Sequence, residues 1–223
     1  MQLFSMQLVP IFPLEIVVFP GELLPLHIYE KRYIKLVNDI LSRDKIFGLL
    51  PVSGRQVATT GITMGIEQIA KIYEDKRMDI VVRGLQPFKV IRIITSENRD
   101  EYHWANVIYI EQQNQGNLVL EEKVLMLYQT FLKFIHPPFV PEIRRESNIP
   151  LSYQIAHTCG LSFEQKVYLL EISEEIARLD FLFNHLQKII QVFKNIENIH
   201  QKIQQNSHFK IFPELSFDFG VGS

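Results

Sequence analysis

The spacing of the apolar residues changes near residue 115, and this change constrains the fold more than any other feature of the sequence. Before residue 110 the apolar residues form short runs that end at prolines, glycines and charged turns, a pattern typical of β-strands. The exception is residues 31–42, where apolar residues recur at helical spacing. This half therefore predicts six or seven short strands around one helix, which favours a small, strongly curved sheet or a barrel.

Beyond residue 117 the apolar residues recur every three or four positions, the period of one face of an α-helix. Leu118–Ile135 predicts one amphipathic helix, and Ser162 with Gln165 forms a capping-box pattern at the start of another. Ser173 is the predicted cap of a last helix that continues to about residue 205. About 30 residues at 1.5 Å each give a rod of about 45 Å, so its far end must pack on something other than the barrel alone.

Composition and charge argue against several classes of protein. The 223 residues carry 23 Lys and Arg against 25 Asp and Glu, and a net charge of −2 is unusual for a nucleic-acid-binding protein. The single cysteine, Cys159, cannot form an internal disulfide or a cysteine-based zinc site, and we expect it in the core. Because no basic residue precedes Lys31 and prolines interrupt the apolar N-terminus, we expect no signal peptide, no membrane span and a cytoplasmic protein.

The sequence also lacks the short motifs that carry common catalytic chemistry. It contains neither a GxxxxGK[ST] phosphate-binding loop nor a GxSxG nucleophile elbow. Its seven histidines form no HExxH or other short ligand cluster. We therefore predict no catalytic residues, no cofactor and no metal site.

The most informative motif is residues 11–33, IFPLEIVVFPGELLPLHIYEKRY. It resembles the opening of the N-terminal, substrate-binding domain of Lon proteases, whose pattern is approximately PLFPL, then VVLFPG, then LPLHIFEPRY. The resemblance includes the segment 161–186 and covers about residues 6–195. The family-motif residues are Pro13, Phe19, Pro20, Gly21, Pro25, Leu26, His27, Glu30, Arg32, Tyr33, Gly48 and Gly84.

We interpret most of these motif residues as structural. Pro13 and the pair Pro20-Gly21 are predicted to fix turns between strands. Glu30 and Arg32 flank the start of the predicted helix, where they can pair with the backbone or with each other. His27 lies between two apolar residues of a predicted strand, which indicates a structural histidine.

The sequence departs from the family pattern at Lys31, where proline is usual, and at the turn 73–77, and we expect the fold to tolerate both changes. The resemblance implies an α+β fold with three parts. These are a PUA-like β-barrel with an inserted helix in residues 1–112, an α-helical bundle ending in a long helix in residues 117–205, and an apolar tail in residues 206–223.

The resemblance further implies a non-catalytic module that binds unfolded or exposed apolar protein segments, as an adaptor or regulator in protein quality control. We expect the binding site in the groove between barrel and bundle. The ATPase and Ser–Lys protease modules of a full Lon protease do not fit in 223 residues, so we expect no enzyme. The alternative is an RNA-binding protein, because PUA-like barrels bind RNA in other families, although the charge argues against it. An enzyme with a non-standard site is the third reading, and no motif supports it.

The tail, residues 207–219, carries six large apolar residues in thirteen, too many for an inert solvated segment. Pro213 excludes one continuous helix and favours an extended path. We predict that the tail turns back and packs either on its own groove between barrel and bundle or on that of a neighbouring copy. The long helix or the tail would then join copies of the chain in a homo-oligomer.

Overall fold

The structure is a computed structural model that describes residues 6–98, 101–136, 140, 142–144 and 148–207, with side chains described as far as Lys202. The predicted tail beyond Ser207 and the prolines at 137, 138 and 141 lie outside the described residues. The strands are β1 (Gln7–Leu14), β2 (Leu23–Ile28), β3 (Ile46–Ser53), β4 (Gln56–Val57), β5 (Thr60–Ile72), β6 (Met78–Ile94) and β7 (His103–Tyr109). The helices are α1 (Lys31–Leu41), α2 (Leu118–Ile135), α3 (Leu151–Ile155), α4 (Phe163–Glu171) and α5 (Glu175–Ser207), with one 3₁₀ turn at Ala156–Thr158. The fold is α+β, as the sequence predicts.

Five of the strands close into a ring. Strand β1 pairs antiparallel with β7, then β7 with β6, β6 with β5 and β5 with β3, and β3 returns to β1 in a parallel pairing that places Ile11 opposite Gly48. Register shifts in the long β5–β6 pairing mark irregularities of the kind that bend strands. The predicted strongly curved sheet is therefore a closed barrel, to which β2 adds along β6 and β4 along β3.

The interior of the barrel is filled by one aromatic ring, which packs against two glycines and several aliphatic side chains. Phe88 is fully buried, and a methyl group on Gly48 or Gly61 would lie only 2.9 or 2.7 Å from its ring. Glycine at these two positions lets the ring pack against the backbone of β3 and β5. Val9, Ile11, Leu50, Ala105 and Val107 complete this small core.

A second, larger core is shared by the barrel and the helices. It runs from Phe12, Phe19 and Phe47 of the first half to Tyr128 and Leu182 of the second half without interruption. Because one core includes both halves, the helices and the barrel bury their apolar faces against each other.

Helices α2 and α5 pack side by side in the same direction. At their starts, the backbone of Gln113, just before α2, pairs in parallel with the backbone of Glu174, just before α5. Near the end of α2, the rings of Phe131 and Phe134 contact the ring of Phe193 on α5. Helix α2 ends near the level of Phe193, whereas α5 continues for fourteen further residues. Every residue from 194 to 202 is exposed. The 33 residues of α5 extend about 48 Å, so the prediction of a long helix is confirmed, and no described residue covers its far end.

Most strands and helices lie where the apolar spacing indicates them, and two segments differ from the short strands expected. Residues 78–94 contain two apolar runs, 78–83 and 88–94, but form one continuous strand, β6, because both halves pair with β5 through the intervening glycine. The apolar run 16–19 is not a strand but an irregular segment whose Val17, Val18 and Phe19 are nevertheless buried. No helix in the described part of the chain is long and apolar enough to cross a membrane.

Candidate functional site

The motif turn at residues 19–22 is attached directly to the middle of β6. The amide of Gly21 donates to the carbonyl of Gly84 at 2.8 Å, and the amide of Gly84 donates to the carbonyl of Glu22 at 2.9 Å. Gly21 has φ +84°, a conformation that L side chains rarely adopt, and a methyl group on Gly84 would lie 2.3 Å from the carbonyl oxygen of Phe19. Both glycines are therefore needed for this close approach, which explains two positions of the motif.

The same turn holds the helical half in place. The ring of Phe19 stacks on Tyr153 with a centroid distance of 5.7 Å and meets the edge of His157 at 5.0 Å. The carboxylate of Glu22 accepts a hydrogen bond from the amide of Phe19 at 3.0 Å and lies 2.7 Å from Nε2 of His157. The N-terminal motif thus positions α3 and the 3₁₀ turn, which form the opposite wall of the site.

Three adjoining cavities lie along this junction between barrel and helices. The first has mostly apolar walls and a volume of about 380 Å³, the second about 390 Å³ and the third about 190 Å³. Ile149 borders all three, and Tyr153 and Pro20 border the first two, so the cavities form one groove. We call this the junction groove; its principal wall residues are Pro20, Gly21, Glu22, Leu85, Gln86, Gln112, Asn114, Leu118, Leu125, Ile149, Pro150, Tyr153, Gln154, His157 and Thr158.

A buried ion pair fixes one side of the junction groove. Arg178 is fully buried on α5 and lies 3.0 Å from the carboxylate of Glu175, which is 2% exposed. The guanidinium of Arg178 also donates to Ser152, Gln112, Asn114 and the carbonyls of Ile172 and Ser173, and it lies over the ring of Tyr153. Burial raises the pKa of Glu175, and two hydrogen bonds from Ser152 and the charge of Arg178 oppose this shift. The network joins α5, α3 and the segment 112–114 at the groove.

Sequence reasoning missed this network because its members come from three distant segments. One signal was available: Glu175, Arg178 and Leu182 share one face of α5, and a charged pair on a face that is otherwise apolar indicates a buried pair rather than a solvated one. The predicted cap Ser173 instead lies two residues before the helix begins, where its carbonyl accepts from Arg178.

The remaining motif residues lie away from the junction groove. His27 forms a 2.6 Å contact with Asp79 on the surface of the β2–β6 pair, where the side-chain hydrogen bond from His27 helps to lower the pKa of Asp79. Arg32 and Glu30 pair with each other at 2.7 Å at the start of α1, which is one of the two pairings expected for them. Tyr33 is buried against Phe12, and Gly48 faces the barrel interior. The predicted turn at Pro13 is wrong, because Pro13 lies within β1 and pairs with Leu50 of β3, and Pro25 and Leu26 lie within β2.

Among the described residues, no three histidine, cysteine, aspartate or glutamate side chains are grouped so that they could hold a metal ion. The thiol of Cys159 is buried, and burial raises its pKa, so it is a poor nucleophile. What the groove provides is apolar surface bordered by polar groups, an arrangement that can bind a ligand.

Comparison with known proteins identifies the family. A family model of the ATP-dependent protease La (LON) substrate-binding domain matches residues 8–188. The chain belongs to the Lon substrate-binding domain family. It is similar to the Lon protease of Dictyoglomus thermophilum, with 28% identity over 211 residues that cover 86% of this chain and 26% of the relative. The Lon protease of Escherichia coli K12 is 24% identical over 219 residues, covering 89% of this chain and 27% of the relative. The chain thus spans about a quarter of the length of these Lon proteases, and the matched part is the N-terminal substrate-binding domain.

Solved structures show the same fold. The Lon N-terminal domain protein from Xanthomonas campestris superposes with a TM-score of 0.63 at 21% identity, covering 80% of this chain and 98% of that one. The N-terminal domain of Lon protease from the Mycobacterium avium complex gives a TM-score of 0.56 at 16% identity, covering 81% of this chain and 98% of that one. The α+β architecture of barrel and helices is therefore that of Lon N-terminal domains.

Proposed function

We propose that this member of the Lon substrate-binding domain family is a non-catalytic module that binds extended, apolar segments of other proteins in the junction groove. The single observation that carries the proposal is the groove itself, a row of adjoining cavities at the junction of barrel and helices, of which the first has mostly apolar walls and the third is lined largely by polar and charged side chains. Apolar walls favour large side chains, and polar groups such as Glu22 and Gln154 at the borders can satisfy a peptide backbone.

The proposed role is that of an adaptor or regulator in protein quality control. A module that binds unfolded segments can hold them or deliver them to another protein. The match of residues 8–188 to the Lon substrate-binding domain supports this role. The cavities adjoin in a row, which suits an extended chain with several side chains better than one small molecule.

A binding experiment with a matched pair of variants tests the proposal. Leu85 is 39% exposed and borders the groove, and Leu23 is 50% exposed on β2 outside it. We expect Leu85→Arg to weaken binding of fluorescein-labelled, unfolded casein at least about tenfold, because placing a guanidinium against apolar ligand surface costs more than about 1.4 kcal/mol. Leu23→Arg carries the same change in charge and should leave the affinity within about twofold of the wild type.

Fluorescence anisotropy measures both affinities, and circular dichroism checks that both variants are folded. Equal losses for the two variants, or no binding of casein by the wild type, would contradict the proposal. The RNA-binding alternative is measured in the same assay with a labelled single-stranded RNA. RNA that binds more tightly than casein and competes with it would favour that alternative.

A further inference from the structure

The far end of α5 presents an apolar stripe that no described residue covers. Val192, Ile196 and Ile199 are 54%, 47% and 57% exposed, and at 100° per residue they fall within about 60° of one another on one helix face. Phe193 points to a different face, where it contacts α2. We call Val192, Ile196 and Ile199 the α5 stripe. Such a stripe on a surface helix normally faces a partner.

The chain that continues from α5 has a complementary pattern. Between His208 and Phe219 the odd-numbered positions are all apolar, and all but one of the even-numbered positions are polar. Because side chains alternate along an extended chain, this pattern gives one continuous apolar side. The odd-numbered residues are Phe209, Ile211, Pro213, Leu215, Phe217 and Phe219.

The reach of the chain decides which surface this segment can cover. The junction groove meets α5 at Glu175, which precedes Ser207 by 32 residues or about 48 Å of helix. Its wall residue Thr158 lies next to Cys159, whose carbonyl is 2.9 Å from the ring of His185, still 22 residues or about 33 Å before Ser207. At no more than about 3.6 Å per residue, Leu215 and the apolar residues before it stay within about 29 Å of Ser207. These residues therefore cannot reach the groove of their own chain.

The α5 stripe is well within reach. Ile199 lies about 12 Å and Val192 about 22 Å from Ser207 along the helix. After a reversal of about three residues, the extended segment 211–217 spans about 20 Å, so it can run back along the helix from Ser207 past Ile199 almost to the level of Val192. A tether this short also gives the segment a high effective concentration at the stripe.

We propose that residues 208–219 fold back along α5 and cover the α5 stripe of their own chain with their apolar side. The tail then buries Val192, Ile196 and Ile199 and leaves the junction groove free. This inference does not depend on the groove's ligand.

Disulfide trapping in the full-length protein tests this arrangement. Asn195 flanks the stripe, and Lys194 points about 200° away from Ile196 on the opposite side of the helix; both are exposed. We pair each with Phe217, which lies on the side of the segment that faces the helix and, about 20 Å along it, level with residues 194 and 195, in the variants Asn195→Cys/Phe217→Cys and Lys194→Cys/Phe217→Cys. Cys159 does not interfere, because it is buried and burial raises its pKa.

We expect the first pair to form an intramolecular disulfide at least about tenfold faster than the second, at a rate independent of protein concentration. Non-reducing electrophoresis of the monomer fraction and mass spectrometry measure both rates. Equal rates for the two pairs would show that the tail does not dock and would overturn the inference. Disulfide-linked dimers that increase with protein concentration would overturn it as well, and would assign the stripe to a second copy.

Discussion

Replacing Arg178 by methionine tests how the two halves of the molecule are held together. Methionine replaces the apolar stem of the arginine side chain but leaves the carboxylate of Glu175, 2% exposed, without its cation. Removing one partner of a buried pair costs about 3–5 kcal/mol. A domain of this size is stable by about 5–15 kcal/mol, so the variant should fold but melt at a temperature lower by roughly 6–20 °C.

The pH dependence separates this cause from a simple loss of packing. Without Arg178 the pKa of Glu175 rises further above its unfolded value, so the folded state binds a proton more tightly than the unfolded state. The Arg178→Met variant should therefore be much less stable than the wild type at pH 7, and this deficit should shrink as the pH falls toward the ordinary carboxyl pKa near 4.3.

Urea unfolding at pH 7 and pH 5, followed by circular dichroism, measures these effects. The double variant Glu175→Gln/Arg178→Met, which removes both charges, should recover part of the loss at pH 7. A loss below about 1 kcal/mol, or an equal loss at both pH values and in the double variant, would refute the role given to the pair.

Two further predictions concern the packing around the groove. Gly84→Ala should lower the free energy of unfolding by about 1–3 kcal/mol or more and weaken casein binding, because its methyl group would lie 2.3 Å from the carbonyl oxygen of Phe19. Gly65→Ala, whose methyl group meets only the Leu85 side chain, is the control for the loss of stability, and similar melting temperatures for the two variants would argue against this explanation. Burial lowers the pKa of His185, so the wild type should lose stability as the pH falls below about 6.5. His185→Gln should therefore reduce the difference in melting temperature between pH 7.5 and pH 5.5, and an unchanged difference would contradict this role of His185.

Elements with strong local signals could be predicted from the sequence alone. Helix α1 begins and ends within one residue of its predicted bounds, and α2 has the predicted bounds. The predicted capping box is present, since Ser162 accepts from the amide of Gln165 and the Gln165 side chain accepts in return. These features depend on residues three or four positions apart, which a sequence displays directly.

Features that depend on distant contacts could not be predicted in the same way. Strand β6 continues through Gly84 because the turn at Gly21 bonds to it there, about 60 residues away in the chain. The position of the groove between barrel and helices was expected from the family resemblance, but its walls, such as Tyr153 and His157, come from an arrangement of segments that no local pattern encodes. The motif residues at the groove were predicted as structural, and the contacts of Phe19 support that interpretation.

The closure of the barrel by its first strand has a consequence for synthesis of the chain on the ribosome. Strand β1 cannot pair with β7 until His103–Tyr109 has been synthesised. The ring partners of Phe19, Tyr153 and His157, are synthesised later still. At about 5–20 residues per second, Phe19 spends about 7–28 s without these partners after its own addition. For that time the apolar segment around Phe19 lacks these native partners, and the nascent protein then contains a segment of the kind that we propose the complete protein binds.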